Sequence, residues 1–156
     1  MLFDTHCHVY DEKYTEGPIE AIKTCLANGV SLMMIPGDNI PNSIKALELA
    51  NSFNEVYCAV GIHPEEVNSI ELQEGLTKLK ELARSSNKVK AIGEIGLDRY
   101  WIKDEEVINK QVEYFIAQIE LANQLHLPVI IHDREAHGLT LDILKKHTPK
   151  FVGVLH

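Results

Sequence analysis

Two hydrophobic rhythms take turns along this chain. Short apolar runs stand at 2–6 ("LFDTH"), 30–37 ("VSLMMIPG"), 56–64 ("VYCAVGIHP"), 89–98 ("VKAIGEIGLD"), 127–133 ("LPVIIHD") and 151–156 ("FVGVLH"). Their length and β-branched content predict strands. Between them lie segments with a helical period. Residues 18–29 form the first, closed by Gly29. In 42–53 the apolar residues fall at 44, 47, 49, 50 and 53, roughly one helical face. Residues 71–86 are charged and amphipathic. Residues 105–125 predict the longest helix, with Ile108, Val112, Phe115, Ile119 and Ala122 as its apolar stripe. Residues 135–147 predict the last. Six strands in strict alternation with five helices predict an α/β protein with parallel pairing and right-handed crossovers. No Pro/Ser-rich linker or low-complexity stretch interrupts 1–156, so the segment is expected to be one unit.

Two architectures fit such an alternation, an open doubly wound sheet and a (β/α) barrel. Both place their sites at the carboxyl ends of the strands, and polar residues collect there. His6 and His8 close the first predicted strand, Glu94 lies in the fourth, His132 ends the fifth and His156 ends the sixth. Four imidazoles and a carboxylate suit a divalent transition metal. An HxH pair alone is weak evidence; repeated arrival at the same strand end is much stronger. Metals sharing one site lie about 3.5–4 Å apart. In a flat sheet ordered 3-2-1-4-5-6, strands 1 and 6 would sit about 14 Å apart, at about 4.8 Å per strand. A TIM-like barrel curls those ends together and is the expected fold. Such a barrel has eight strands, and six are present here. The chain is therefore expected to be the N-terminal portion of a longer domain, cut after strand 6, with exposed edges that favour association or are covered by another chain.

Composition adds limits. The chain has 156 residues, 45% of them hydrophobic and 24% charged, which is ordinary for a globular protein. A formal net charge of −8 argues against attraction of nucleic acid by the whole surface. Bound cations would reverse that field locally, so a phosphate substrate stays open. Cys7, Cys25 and Cys58 are scattered, with no CxxC, and are expected to be reduced thiols of a cytoplasmic protein. No apolar run reaches the length of a membrane span, and no export signal is visible. The sequence has no P-loop, GxGxxG or GxSxG.

Taken together, "DTHCH", "GIHP", "GEIGLD" and "LPVIIHDREA" resemble the TatD-type metal-dependent hydrolases of the amidohydrolase superfamily. The resemblance implies a TIM-like fold and a divalent-metal DNase, with some members acting as 3′–5′ exonucleases. It implies that His6 and His8 bind one metal, that His132 and His156 bind the other, and that Glu94 bridges them. A metal-bridged hydroxide would cleave the phosphodiester. The family also uses an aspartate at the end of an eighth strand as ligand and proton acceptor. That position is not among these 156 residues, so activity of this chain is in question.

On this reading His63 and Arg134 are expected to contact the substrate, Arg134 through a bidentate phosphate contact. Tyr100 and Trp101 either pack a loop or stack on a base. Asp98 either orients a ligand or forms a turn, and Asp4 either orients an imidazole or sits low in the barrel. His126, His137 and His147 are expected at the surface. The cofactors are two divalent ions, Zn²⁺, Mn²⁺, Co²⁺ or Mg²⁺, and the partner is DNA or another phosphodiester, with no membrane. Two alternatives stand beside this. One is another hydrolysis of the superfamily, of an amide, an amino group or a phosphotriester. Its frequent carboxylated-lysine bridge is disfavoured because Lys90 falls too early in its strand. The other is a non-catalytic metal-binding or interaction fragment.

Overall fold

In the computed structural model, residues 1–11 and 13–156 are described. The strands are β1 (Leu2–Asp4), β2 (Val30–Pro36), β3 (Val56–Val60), β4 (Val89–Asp98), β5 (Val129–Arg134) and β6 (Val154–Leu155). The helices are α1 (Pro18–Ala27), α2 (Ile40–Ser52), α3 (Leu72–Ser85), α4 (Glu105–Leu125) and α5 (His137–Lys146), with a 3₁₀ turn at Pro64–Glu66. All strand pairs are parallel, in the order β1-β2-β3-β4-β5-β6. Laid flat, β1 and β6 would be about 24 Å apart, five spacings of about 4.8 Å. Yet the rings of His6, just past β1, and His156, just past β6, lie 4.0 Å apart between centroids. The sheet therefore curls into six strands' worth of a TIM-like barrel. Among the described residues β1 and β6 each pair on one side.

The period-two alternation sorts side chains onto two faces. Met33 and Ile35 of β2, Cys58 and Val60 of β3, and Val129 and Ile131 of β5 pack outward with Phe115, Ile119 and Ala122 of α4 in the main core. Met34, Ala59, Ala91 and Ile130 form a smaller cluster on the inner face. A cavity of about 430 Å³ opens beside them, lined also by Phe3 and Leu32.

Element boundaries differ from expectation mainly at strand ends. β1 stops at Asp4, and His6 and His8 lie in the extended segment after it. β3 stops at Val60, and His63 caps the 3₁₀ turn. β6 covers only Val154–Leu155, although the His156 backbone N–H still donates to the Ile131 carbonyl at 3.0 Å. Helix α4 begins where Asp104 accepts from the Glu106 and Val107 N–H groups and ends where His126 takes a left-handed conformation.

Two buried amides on α4 fix the strand ends that carry the site. Gln118 accepts from the Ile62 N–H at 2.8 Å and donates to the Ile62 carbonyl at 3.1 Å. Gln111, two turns earlier on the same face, does the same at Asp98, at 3.1 and 3.3 Å. Each side chain stands in for a neighbouring strand and satisfies backbone groups that would otherwise be buried unpaired.

Candidate metal centre

The site is organised around one carboxylate. Glu94 is 3% exposed and sits in the middle of β4. Its Oε1 lies 2.7 Å from His156 Nε2 and 3.1 Å from His132 Nδ1. Its Oε2 lies 3.3 Å from His6 Nε2 and 3.2 Å from His8 Nε2. His63 Nε2 is 3.8 Å from Oε1. Five of the chain's eight histidines thus surround Glu94, drawn from the ends of β3, β5 and β6 and the extended segment after β1. Of the other three, His126 and His137 are exposed and His147 half-buried, away from the site.

Local chemistry explains each placement. In "HCH", the Cys7 N–H and S–H both point to the Met34 carbonyl of β2, at 3.1 and 3.3 Å. With Cys7 anchored against β2, the flanking imidazoles turn the other way, toward Glu94. Asp4 accepts from the His6 backbone N–H at 3.1 Å, so it positions the backbone rather than a ring. Gly96 has φ +145°, a region that favours glycine, and a Cβ there would collide with the His132 carbonyl oxygen. This close approach lets Glu94 and Asp98, two residues to either side, clamp His132: Glu94 on Nδ1 at 3.1 Å and Asp98 Oδ2 on Nε2 at 3.1 Å. A Cβ on Gly61 would lie 2.5 Å from the Gly93 carbonyl carbon, so the β3 end also presses directly on β4.

Hydrogen bonding assigns two tautomers. The Tyr10 hydroxyl donates its single proton to the Pro36 carbonyl at 2.7 Å. It must then accept from His8 Nδ1–H at 2.9 Å, which leaves the His8 Nε2 lone pair facing Glu94. His63 is the reverse. Its Nδ1 accepts the Glu65 N–H at 3.2 Å, so in the neutral ring Nε2 carries the proton. Burial is the main reason that the His63 pKa drops to about 4, so the ring is neutral at ordinary pH. His63 is therefore a hydrogen-bond donor to the site rather than a lone-pair ligand.

The donor set fits a cation. His6 Nε2 and His8 Nε2 are only 2.9 Å apart, and both face Glu94 Oε2. Bonds of about 2.0–2.1 Å at 90–109° impose ligand separations of about 2.9–3.4 Å, the range found here. Two overlapping groups of donor atoms lie within 4.8 Å of one another, His6–Glu94–His156 and His63–Glu94–His132. The first crosses the partition expected from sequence, in which His156 pairs with His132. Burial opposes ionisation of Glu94, but hydrogen bonds from the imidazoles, His132 and His156 foremost, outweigh it and hold the carboxyl far below its usual range. His132 is likewise affected first by burial, which lowers its pKa, and then more strongly by Glu94 and Asp98, which raise it.

Above the carboxylate opens a cavity of about 740 Å³ whose rim includes Asp38, Lys45, His63, Glu65 and Arg134. Arg134 is exposed, with its guanidinium 4.3 Å from the Tyr100 ring centroid. Lys90 lines the inner-face cavity instead, apart from the donor cluster. Tyr10, Gln111 and Gln118 were not singled out by the sequence. Tyr10 continues the two-residue spacing of His6 and His8, and the glutamines interrupt an apolar helix face; both are visible signals.

Residues 3–156 match the family described as TatD related DNase. The chain belongs to the TatD family. It is 39% identical to a protein of Bacillus subtilis named uncharacterized metal-dependent hydrolase YabD, over all of this chain and 60% of that protein. It is 36% identical to the 3′-5′ ssDNA/RNA exonuclease TatD of Erwinia tasmaniensis, over 99% of this chain and 59% of that one. The crystal structure of YjjV, a TatD homologue from Escherichia coli, superposes with a TM-score of 0.89 at 31% identity, covering 99% of this chain and 59% of the other. The chain thus spans about three-fifths of the length of these TatD relatives.

Proposed function

We propose that this TatD-family chain carries the metal-binding part of a divalent-cation-dependent phosphodiesterase that trims single-stranded DNA from its 3′ end in the cytoplasm. The observation that carries the proposal is the buried Glu94 carboxyl ringed by imidazole nitrogens at 2.7–3.3 Å. The exonuclease name of the Erwinia tasmaniensis relative supports the substrate class. His6 and His8 would hold one cation, His132 and His156 a second, and Glu94 would bridge them. Bound divalent ions supply Lewis acidity toward phosphoryl oxygens and lower the pKa of water.

The chain's own residues do the rest. Glu94 offers one oxygen to each side of the cluster. Tyr10 holds His8 in the tautomer with a free Nε2, and Asp98 fixes the His132 ring. His63 presents a neutral N–H donor to a phosphoryl oxygen, and Arg134 offers a guanidinium edge to a phosphate. Among the described residues no carboxylate oxygen lies within 4.0 Å of that guanidinium, so its charge is available.

The test is release of mononucleotides from a 3′-labelled single strand by metal-free chain reloaded separately with Mn²⁺, Mg²⁺, Co²⁺ or Zn²⁺. Metal-dependent release that is lost in Glu94→Gln is the expected result. No release with any of the four cations by a version extended to the length of its relatives, or Glu94→Gln as active as the parent, overturns it; an inert chain beside an active extended version makes this chain its metal-binding part. Hydrolysis of amides in place of DNA would instead assign the chain to another reaction of the superfamily.

A further inference from the structure

The loop after β4 presents an aromatic surface that the metal centre does not use. Trp101 is 61% exposed and Tyr100 45% exposed. Their rings meet edge to face, with centroids 4.7 Å apart. Arg134 lies against both, 4.3 Å from the Tyr100 centroid and 5.3 Å from that of Trp101. Lys103 approaches Tyr100 from the loop itself, at 5.9 Å. An indole that served only to pack would be buried, because exposing it forfeits most of its apolar contribution. Here cations support the rings, and most of the indole remains in water.

The loop is also tied rigidly to the site. Asp98 uses both oxygens: Oδ2 meets His132 Nε2 at 3.1 Å, while Oδ1 accepts the backbone N–H groups of Tyr100 and Trp101, each at 2.8 Å. One carboxylate therefore sets the aromatic pair and a candidate metal ligand in fixed relation. Arg134, two residues beyond His132, borders the cavity above Glu94. Held over the rings, the Arg134 guanidinium has no carboxylate oxygen within 4.0 Å among the described residues, so its N–H groups are open to a phosphate. A flat aromatic surface beside a phosphate-binding cation matches one nucleotide: the ring takes the base and the edge takes the backbone.

We propose that Trp101, supported by Tyr100 and Arg134, is the stacking platform for a nucleobase next to the phosphodiester held at Glu94. The proposal rests on the nucleic-acid reading above and adds the residues that engage the base. It predicts sequence-tolerant binding, since every base has a π-face, and a preference for single strands, whose bases are free to stack.

Trp101 is the chain's only tryptophan, so its fluorescence reports on the platform alone. The experiment titrates Zn²⁺-loaded chain with oligothymidylate carrying cleavage-resistant phosphorothioate links and, separately, with an abasic deoxyribose-phosphate oligomer of equal length and the same links. Oligothymidylate should quench the emission; the abasic strand should not. In Trp101→Ala, the affinity ratio between the two strands, read by anisotropy of labelled oligomer, should fall about 5- to 150-fold. Trp101→Phe should recover part of that ratio. Loss of a merely structural contact would weaken both strands alike and leave the ratio unchanged. Oligothymidylate bound and trimmed without quenching, with an unchanged ratio, overturns the platform and leaves the nuclease reading standing. Quenching without hydrolysis under any metal, in the chain and in a version extended to the length of its relatives, overturns the nuclease reading and leaves the platform as a nucleic-acid contact. Neither binding nor quenching overturns both.

Discussion

Replacing Tyr10 by Phe removes one oxygen and isolates one relation, the hydrogen bond that holds His8. The phenol donates to Pro36 O at 2.7 Å and accepts from His8 Nδ1 at 2.9 Å. Without it, His8 loses the partner that fixes both its tautomer and its ring orientation. Outer partners of metal-ligating histidines are typically worth 10–100-fold in metal affinity, or about 1.4–2.7 kcal/mol. Metal-free stability should fall separately, by about 1–3 kcal/mol, because two ordinary hydrogen bonds, to Pro36 and from His8, are lost at a half-buried position. Competition between the chain and a fluorescent chelator measures the affinity, and urea unfolding without metal measures the stability. A double-mutant cycle with His8→Ala then decides the route: in that background Tyr10→Phe should cost almost nothing further. If Tyr10→Phe binds metal within twofold of the parent, or weakens binding equally with and without His8, the tautomer reasoning is wrong.

Other outcomes follow from the same structure. Saturation with a tightly held divalent ion, at about 100 times its Kd, should add about 2.7 kcal/mol and raise Tm by about 5–10 °C for a chain of this size. A chelator should reverse the shift, and calorimetry checks it. That stabilisation should fade as pH drops below about 6, because the cation needs neutral imidazoles and protons compete for them. Gln118→Leu strips partners from the buried Ile62 N–H and carbonyl and should cost about 1–3 kcal/mol in urea unfolding; an unchanged midpoint would show that the amide clamp is dispensable. Burial pushes the Cys58 thiol up to about 12, so at pH 8 only about 10⁻⁴ of it is thiolate. Peptide mapping after iodoacetamide treatment should find Cys58 unmodified in the native chain and modified once urea unfolds it.

The parts of this molecule that were legible in its sequence are those fixed by period and chemical type. Alternation of strands and helices gave the class, and His6, His8, Glu94, His132 and His156, which the structure brings together, could be named as candidate ligands because few other residue types offer nitrogen or oxygen donors. The spatial cause was harder to read. Strand alternation would put both imidazoles of "HCH" on one side, yet they lie beyond the end of β1. What turns them is the pair of bonds from Cys7 to Met34, a long-range contact with no local signature.

Tautomers were hidden for the same reason. His8 and His63 look alike in a sequence, and only their neighbours, Tyr10 with Pro36 and the Glu65 N–H, make one ring present a lone pair and the other a proton. The division of labour among these five histidines is therefore carried by oxygen and nitrogen atoms outside the cluster. Those atoms are themselves held by β2 and by the turn after β3, which Gln118 on α4 pins at Ile62, one residue before His63. A change at Gln118 thus has a short physical route to the ring proposed to meet the substrate: a loosened Ile62 shifts His63, and a shifted His63 loses the Glu65 N–H that keeps its proton on Nε2.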